Sequence, residues 1–170
     1  MNLRALTREE RTKVNRALDR WGTFEYFSDK TLIMDVESKK VCLISPDLWS
    51  VAGEVRPNLA GLAVGELKKS FTPTMPGADL FARNAKSDKY YVEVTENAAQ
   101  LVLYGRDVMG DSIVSAWDGL DENELVILLN SRREAIGIGR TRYAGRSLLQ
   151  KGKITITTVA DAGLYLREEG

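Results

Sequence analysis

The chain has no histidine and a single cysteine among its 170 residues. Without histidine there is no Ser-His-Asp or Cys-His nucleophilic machinery and no His-based zinc site. Lysine, tyrosine or carboxylate chemistry and a magnesium site stay open. With Cys42 alone no intramolecular disulfide can form, which fits a reducing compartment. Cys42 lies in Lys40-Val41-Cys42-Leu43-Ile44, a strand-like run in which it reads as a small buried hydrophobe. No apolar run approaches the ~20 residues of a helical membrane span. Met1 to Arg20 is mostly charged and polar and lacks the apolar stretch of a secretory signal. The expectation is a protein without a membrane partner that stays in the cytoplasm, or in the nucleus and nucleolus if eukaryotic.

Net charge is also missing: 24 basic residues balance 24 acidic ones. Their distribution is uneven. From Arg132 to Lys153 seven basic residues face one acid, Glu134, a net of +6. The preceding stretch from Arg106 to Ser131 holds six acids against Arg106 alone. Such segregation places a basic face on a neutral protein.

The order of patterns predicts an α+β protein. Thr7-Arg8-Glu9-Glu10 is a capping box, and Val14, Ala17, Leu18 and Trp21 follow at helical spacing. Arg8, Arg11, Lys13, Arg16 and Arg20 fall mostly off that stripe and read as a solvated face, with support for a nucleic-acid surface as the alternative. Thr23 to Phe27, Thr31 to Val36 and Lys40 to Ser45 read as strands of an antiparallel meander, joined by Ser28-Asp29-Lys30 and Glu37-Ser38-Lys39. Ser45-Pro46-Asp47 opens a short helix, with Leu48, Val51 and Ala52 buried and Trp49 at its edge. Leu59 to Val64 reads as a strand, Phe71 to Thr74 as extended chain, Met75-Pro76-Gly77 as a turn and Ala78 to Ala85 as a helix. The predicted fold is an N-terminal α/β domain with an antiparallel sheet and flanking helices over residues 1–92, then a small β-barrel domain over 93–170.

In the second half, Tyr90 to Val94 reads as a strand and Thr95-Glu96-Asn97 caps a helix. Short strands follow at Ser112 to Trp117, Glu124 to Asn130, Ala135 to Tyr143 and Lys153 to Val159, with Asn130 to Glu134 as a hairpin turn and Gly145 to Gln150 as a helical turn. One helix and several short strands suggest a closed or pseudo-closed barrel. Gly137-Ile138-Gly139 is no dinucleotide fingerprint, because the third glycine position holds Arg142; close backbone packing explains both glycines better. Arg140 and Arg142, one residue apart on a strand, share a face while Thr141 points away. Two neighbouring guanidiniums suit phosphate, which neutralises them bidentately; a charge-protected edge strand is the structural alternative. Tyr143 and Trp117 offer stacking surfaces for unpaired bases. Asp118, Asp121, Glu122 and Glu124 lack the spacing of an EF-hand, and no carboxylate pair stands out as a catalytic acid and base. No cofactor is expected.

Gly105-Arg106-Asp107-Val108-Met109 resembles the glycine turn of a PUA domain, and Ala135-Ile136-Gly137-Ile138-Gly139 resembles that family's small-apolar-glycine strand. The resemblance implies an RNA-binding pseudobarrel. The chain as a whole is similar to the archaeal and eukaryotic Nip-seven family of large ribosomal subunit biogenesis factors. That likeness is carried by Leu6-Thr7-Arg8-Glu9-Glu10, by Leu103-Tyr104-Gly105 and by the closing run from Ala160 to Glu168. It is good over residues 100–168, while order and length carry it over 11–95. Arg140 and Arg142 stand where eukaryotic members tend to have small neutral residues, an archaeal-like departure. The resemblance implies a non-catalytic factor in pre-rRNA processing and large-subunit assembly. It would bind single-stranded or U-rich RNA, with ribosome assembly proteins as further partners. The candidate RNA-binding residues are Gly105, Arg106, Arg140, Arg142, Arg146, Lys151 and Lys153. An RNA-modifying enzyme, or its accessory subunit, using the barrel to deliver substrate is the second reading; the N-terminal part looks small for a catalytic domain. A protein adaptor that binds no RNA is the third.

Overall fold

The computed structural model describes residues 2–52 and 61–164. Parts of the expected Leu59–Val64 strand and of the closing run lie outside the described residues. The chain divides into two compact units, Met1–Asn84 and Ala85–Gly170. The division falls earlier than the 92/93 boundary expected from the sequence.

The first unit is built on a five-stranded antiparallel meander. Its strands are β1 (Leu3–Ala5), β2 (Thr31–Asp35), β3 (Lys40–Ile44), β4 (Leu62–Leu67) and β5 (Phe71–Pro73), adjacent in chain order. Helix α1 (Arg8–Arg20) begins at the capping box: Thr7 Oγ1 accepts from the Glu10 N–H and the Glu10 carboxylate accepts from the Thr7 N–H. Its apolar stripe places Val14, Leu18 and Trp21 in the core, each at most 2% exposed. Helix α3 (Pro46–Ala52) starts as expected, with Ser45 Oγ accepting from the Leu48 N–H. Its orientation differs: Leu48 is exposed, and Trp49 packs against Ile33, Cys42 and Ile44. The larger aromatic takes the inner seat because it buries more apolar surface. Cys42 is buried, and burial pushes its thiol above the ordinary value, with the Asp35 charge adding to the effect.

Two expectations are corrected. Thr23 to Phe27 is no strand: Phe24–Phe27 forms a short helix, α2. Thr23 Oγ1 donates to the Leu18 carbonyl, and Phe27 meets Phe81 edge-to-face at 5.6 Å, so side-chain burial overrides strand propensity. The place beside β2 is taken by β1 instead. Met75-Pro76-Gly77 is no turn but the first turn of α4 (Met75–Asn84). Proline costs no hydrogen bond there, and Thr74 Oγ1 accepts from the Gly77 N–H.

The second unit is a six-stranded sheet curled around helix α5 (Glu96–Val102). Its strands are β6 (Tyr91–Val94), β7 (Val108–Met109), β8 (Ile113–Ser115), β9 (Leu125–Leu129), β10 (Ala135–Thr141) and β11 (Ile154–Asp161). They run in the order β7-β11-β10-β9-β6-β8, with β6 and β9 parallel and every other neighbour antiparallel. Bulges interrupt the register on both sides of β10 and between Ile154 and Ile156. Each inserts an unpaired residue and bends its strand, and together they curl the sheet. Val92, Val94, Ala98, Ala99, Val102, Val126, Leu128 and Ile156 fill the space inside, none more than 5% exposed. The mixed α+β architecture with a C-terminal pseudobarrel is the one the sequence predicts. Among the described residues no helix is long and apolar enough to cross a membrane.

Candidate nucleic-acid interface

The glycines of β10 let the barrel close. A Cβ on Gly139 would lie 2.4 Å from Ile156 Cγ2, and one on Gly137 would lie 2.8 Å from Val102 Cγ1. Neither position leaves room for a side chain. Past them the strand changes character: Arg140 is half-buried, Thr141 is buried and Arg142 is exposed. The Thr141 hydroxyl donates to the Asp121 carbonyl at 2.7 Å and accepts from the Glu124 N–H at 2.9 Å. This fastens the end of β10 to the acidic loop before β9.

Arg140 pairs with Thr157 across the sheet, and Arg142 Nε donates to the Thr157 hydroxyl at 2.6 Å. The two arginines thus share a face with Thr157, as their spacing requires. They do not converge. Arg140 Nη1 donates to the Asn123 carbonyl at 3.0 Å on one side. On the other, Arg142 Nη2 stands 3.8 Å from Asp107 Oδ2. Both guanidiniums keep N–H groups beyond these bonds, since each carries five donors.

Asp107 ties this pair to the glycine turn. Its carboxylate accepts from the Thr158 N–H at 3.0 Å, and the Arg106 carbonyl accepts from the Thr158 hydroxyl at 2.8 Å. Gly105 takes φ +76°, and the nearest atom to a Cβ there would be Asp161 Oδ2 at 3.5 Å. Glycine is therefore required by the backbone, which L-residues adopt at a cost, rather than by crowding. The turn ends α5: Gly105 and Arg106 donate their N–H groups to the Val102 and Leu101 carbonyls. The Arg106 side chain is exposed and has no partner among the described residues.

The other candidates divide. Lys153 lies over the Tyr143 ring at 5.9 Å, a cation–π contact that occupies the stacking surface predicted for Tyr143. Arg146 Nε stands 3.6 Å from Asp118 Oδ2, so it is drawn towards the acidic loop. Lys151 is exposed on the turn before β11, where Asp111 accepts from the Gly152 N–H. Trp117 meets Tyr90 edge-to-face at 5.8 Å, with Lys89 Nζ 4.9 Å from its ring centroid. The structure therefore links Gly105, Arg106, Arg140 and Arg142 through Asp107, Thr157 and Thr158. It leaves Arg146, Lys151 and Lys153 in settings of their own. Asp107, Thr157 and Thr158 were not among the sequence candidates. Their signals were the Asp in the glycine turn and the adjacent threonines of β11. Among the described residues no three Asp, Glu or Cys side chains gather in a way that could hold a metal ion, the acidic loop included.

A six-stranded sheet curled around a helix, following an antiparallel α/β unit, defines a protein with a C-terminal PUA domain. Residues 90–170 match the UPF0113 PUA domain, and residues 3–75 match the NIP7/UPF0113 pre-PUA domain. A UPF0113 protein of Archaeoglobus fulgidus is 31% identical over 172 residues, spanning 99% of this chain and 97% of the relative. The chain belongs to the NIP7/UPF0113 family. Among solved structures it is similar to a conserved PUA domain protein from Thermoplasma acidophilum, with TM-score 0.70, 14% identity and 99% of each chain covered. It is also similar to a hypothetical protein from Pyrococcus horikoshii, with TM-score 0.68, 16% identity and 95% of each chain covered. These two likenesses concern the fold.

Proposed function

We propose that this protein is a non-catalytic RNA-binding factor of ribosome assembly, acting in pre-rRNA processing of the large subunit. The observation that carries the reading is the continuous arrangement of Arg106, Asp107, Arg142, Thr157 and Arg140 beside the glycine turn. Asp107 and Thr157 orient Arg142 without exhausting its donors, so its free N–H groups are fixed for an incoming phosphate. Membership of a PUA-containing family supports the same reading. Single-stranded, U-rich RNA is the proposed ligand, held by phosphate contacts; Trp117 is a lesser stacking surface because Tyr90 and Lys89 already cover part of it. Ribosome assembly proteins and a cytoplasmic or nucleolar location belong to the same proposal.

The test is Arg140→Ala with Arg142→Ala in the full chain, titrated with fluorescent U-rich RNA over a salt series. Affinity should drop, and the slope of log affinity against log salt should shrink by roughly 0.7 per lost phosphate contact. A double variant that is folded by circular dichroism and binds RNA like the parent would exclude this face.

A further inference from the structure

The first unit carries a second cationic surface outside the PUA domain. An open groove of about 880 Å³ lies between α1 and the tips of the β2–β3 and β4–β5 hairpins. Its cations come from separate elements: Arg4 on β1, Lys13 on α1, Lys39 on the first hairpin turn, and Lys68 and Lys69 on the second. Two acids line it among the described residues, and Lys13 is paired with a third, Glu9, at 3.0 Å. Both acids are engaged: Glu10 takes a bidentate bond from Arg4, and Glu66 stands 2.7 Å from Lys68. Lys39 and Lys69 are exposed and have no ion-pair partner among the described residues.

The backbone fixes where Lys39 stands at the rim. Lys39 holds φ 58°, a left-handed conformation that favours Gly or Asn. The turn is held firmly in that shape. Asp35 accepts from the Ser38 hydroxyl at 2.6 Å and from the Asn2 N–H at 3.2 Å, while the Lys39 carbonyl accepts from the Leu67 N–H at 2.9 Å. Arg133 takes the same conformation, φ 60°, in the Asn130–Glu134 hairpin turn, so the hairpin turn itself sets the Lys39 backbone.

The composition of the groove selects its ligand. Its free cations are lysines, point charges on flexible stems, and its one arginine has its fork filled by Glu10. Planar, bidentate recognition, of carboxylate or phosphate alike, is therefore unavailable, and the groove acts through point charges. Among the described residues no aromatic side chain lines it, so none offers a stacking surface for bases. What remains is sequence-neutral attraction for phosphates, with the Ser70 and Thr72 hydroxyls as further donors.

The geometry points to this groove as a second RNA contact that grips the phosphodiester backbone without reading bases. The choice of RNA as the polyanion rests on the function proposed above. The experiment uses the full chain with Lys39→Ala and Lys69→Ala. It is titrated with U-rich and mixed-sequence single-stranded RNA, and separately with polyglutamate. Affinity for both RNAs should fall equally, by roughly tenfold at low salt, and the salt slope should shrink by about 1.4. If the Arg140/Arg142 variant binds like the parent while this one is weakened, the groove stands and the PUA site fails. A folded Lys39/Lys69 variant with unchanged affinity and slope overturns the groove. So does loss of polyglutamate binding with RNA binding intact, which would make the groove a dock for an acidic protein. An unsubstituted chain that binds no RNA at low salt removes both proposals.

Discussion

Neighbouring residues on one strand can have opposite duties, and Thr141 beside Arg140 and Arg142 is the case in this protein. Thr141 is 2% exposed, and its hydroxyl satisfies two backbone groups of the acidic loop. Replacing Thr141 with valine keeps the shape and removes both bonds. The loss should be about 1–3 kcal/mol, because both hydroxyl bonds to the loop, at 2.7 and 2.9 Å, are removed from a buried site. Urea denaturation measures it, and an unchanged midpoint would show that water fully replaces the hydroxyl. The arginines alongside should cost little stability when replaced, since they are half-buried or exposed and bonded at one edge. At this scale the sequence was readable in part. The alternation of 140, 141 and 142 follows from strand geometry alone. What it hid was that the two guanidiniums lean apart, because Asn123 and Asp107 lie far from them in sequence and are brought close only by the sheet.

At the scale of elements, the capping box of α1 is the clearest case of a local signal that survives folding. Glu10 serves both the helix start and the Arg4 fork. The Arg4 bond, joined by the Thr7 N–H, holds the Glu10 carboxyl at about 2, against an ordinary 4.5. A depressed folded-state value means the ionised form favours the native state. That stability is fully present above the ordinary value and is lost as pH falls from about 4.5 towards 2. Glu10→Gln should therefore lower Tm at neutral pH and flatten the fall of Tm across that acid window, as followed by circular dichroism. Equal acid sensitivity in variant and parent would place the linkage elsewhere. Other elements were less legible. Thr23-Phe24-Glu25-Tyr26-Phe27 has the composition of a strand, yet it is helical because Phe27 is needed beside Phe81. Pro76 and Gly77 spell a turn, yet they open α4, because the end of β5 supplies Thr74 as the cap. Both errors share a cause: local propensity is weak where a distant partner sets the side chain's place. The lysine groove was hidden for the same reason. Its cations sit in four separate sequence neighbourhoods that the meander and α1 bring together, and only Lys13 reads from the sequence as part of a charged face.

At the scale of the whole molecule, the two units differ in how their strands follow one another. The first sheet is assembled in chain order, each strand laid beside the one made before it. The second sheet cannot be. Its last strand, β11, sits between β7 and β10, and β7 has no other neighbour in the sheet. As the chain leaves a ribosome, the first unit can complete its sheet early, while β7 must wait until Ile154 to Ile156 have emerged. Pairing over such long separations is slow, because loop closure precedes any gain. A chain ending at residue 152 should show amide-exchange protection in residues 1–84 and little in 85–152. Strong protection around Val108 in that truncated chain would refute the ordering. Arg142 leans on Thr157 of β11, so it would acquire that support only at this last step. The surroundings of Lys39 and Lys69 would thus be set on the growing chain before Arg142 meets Thr157.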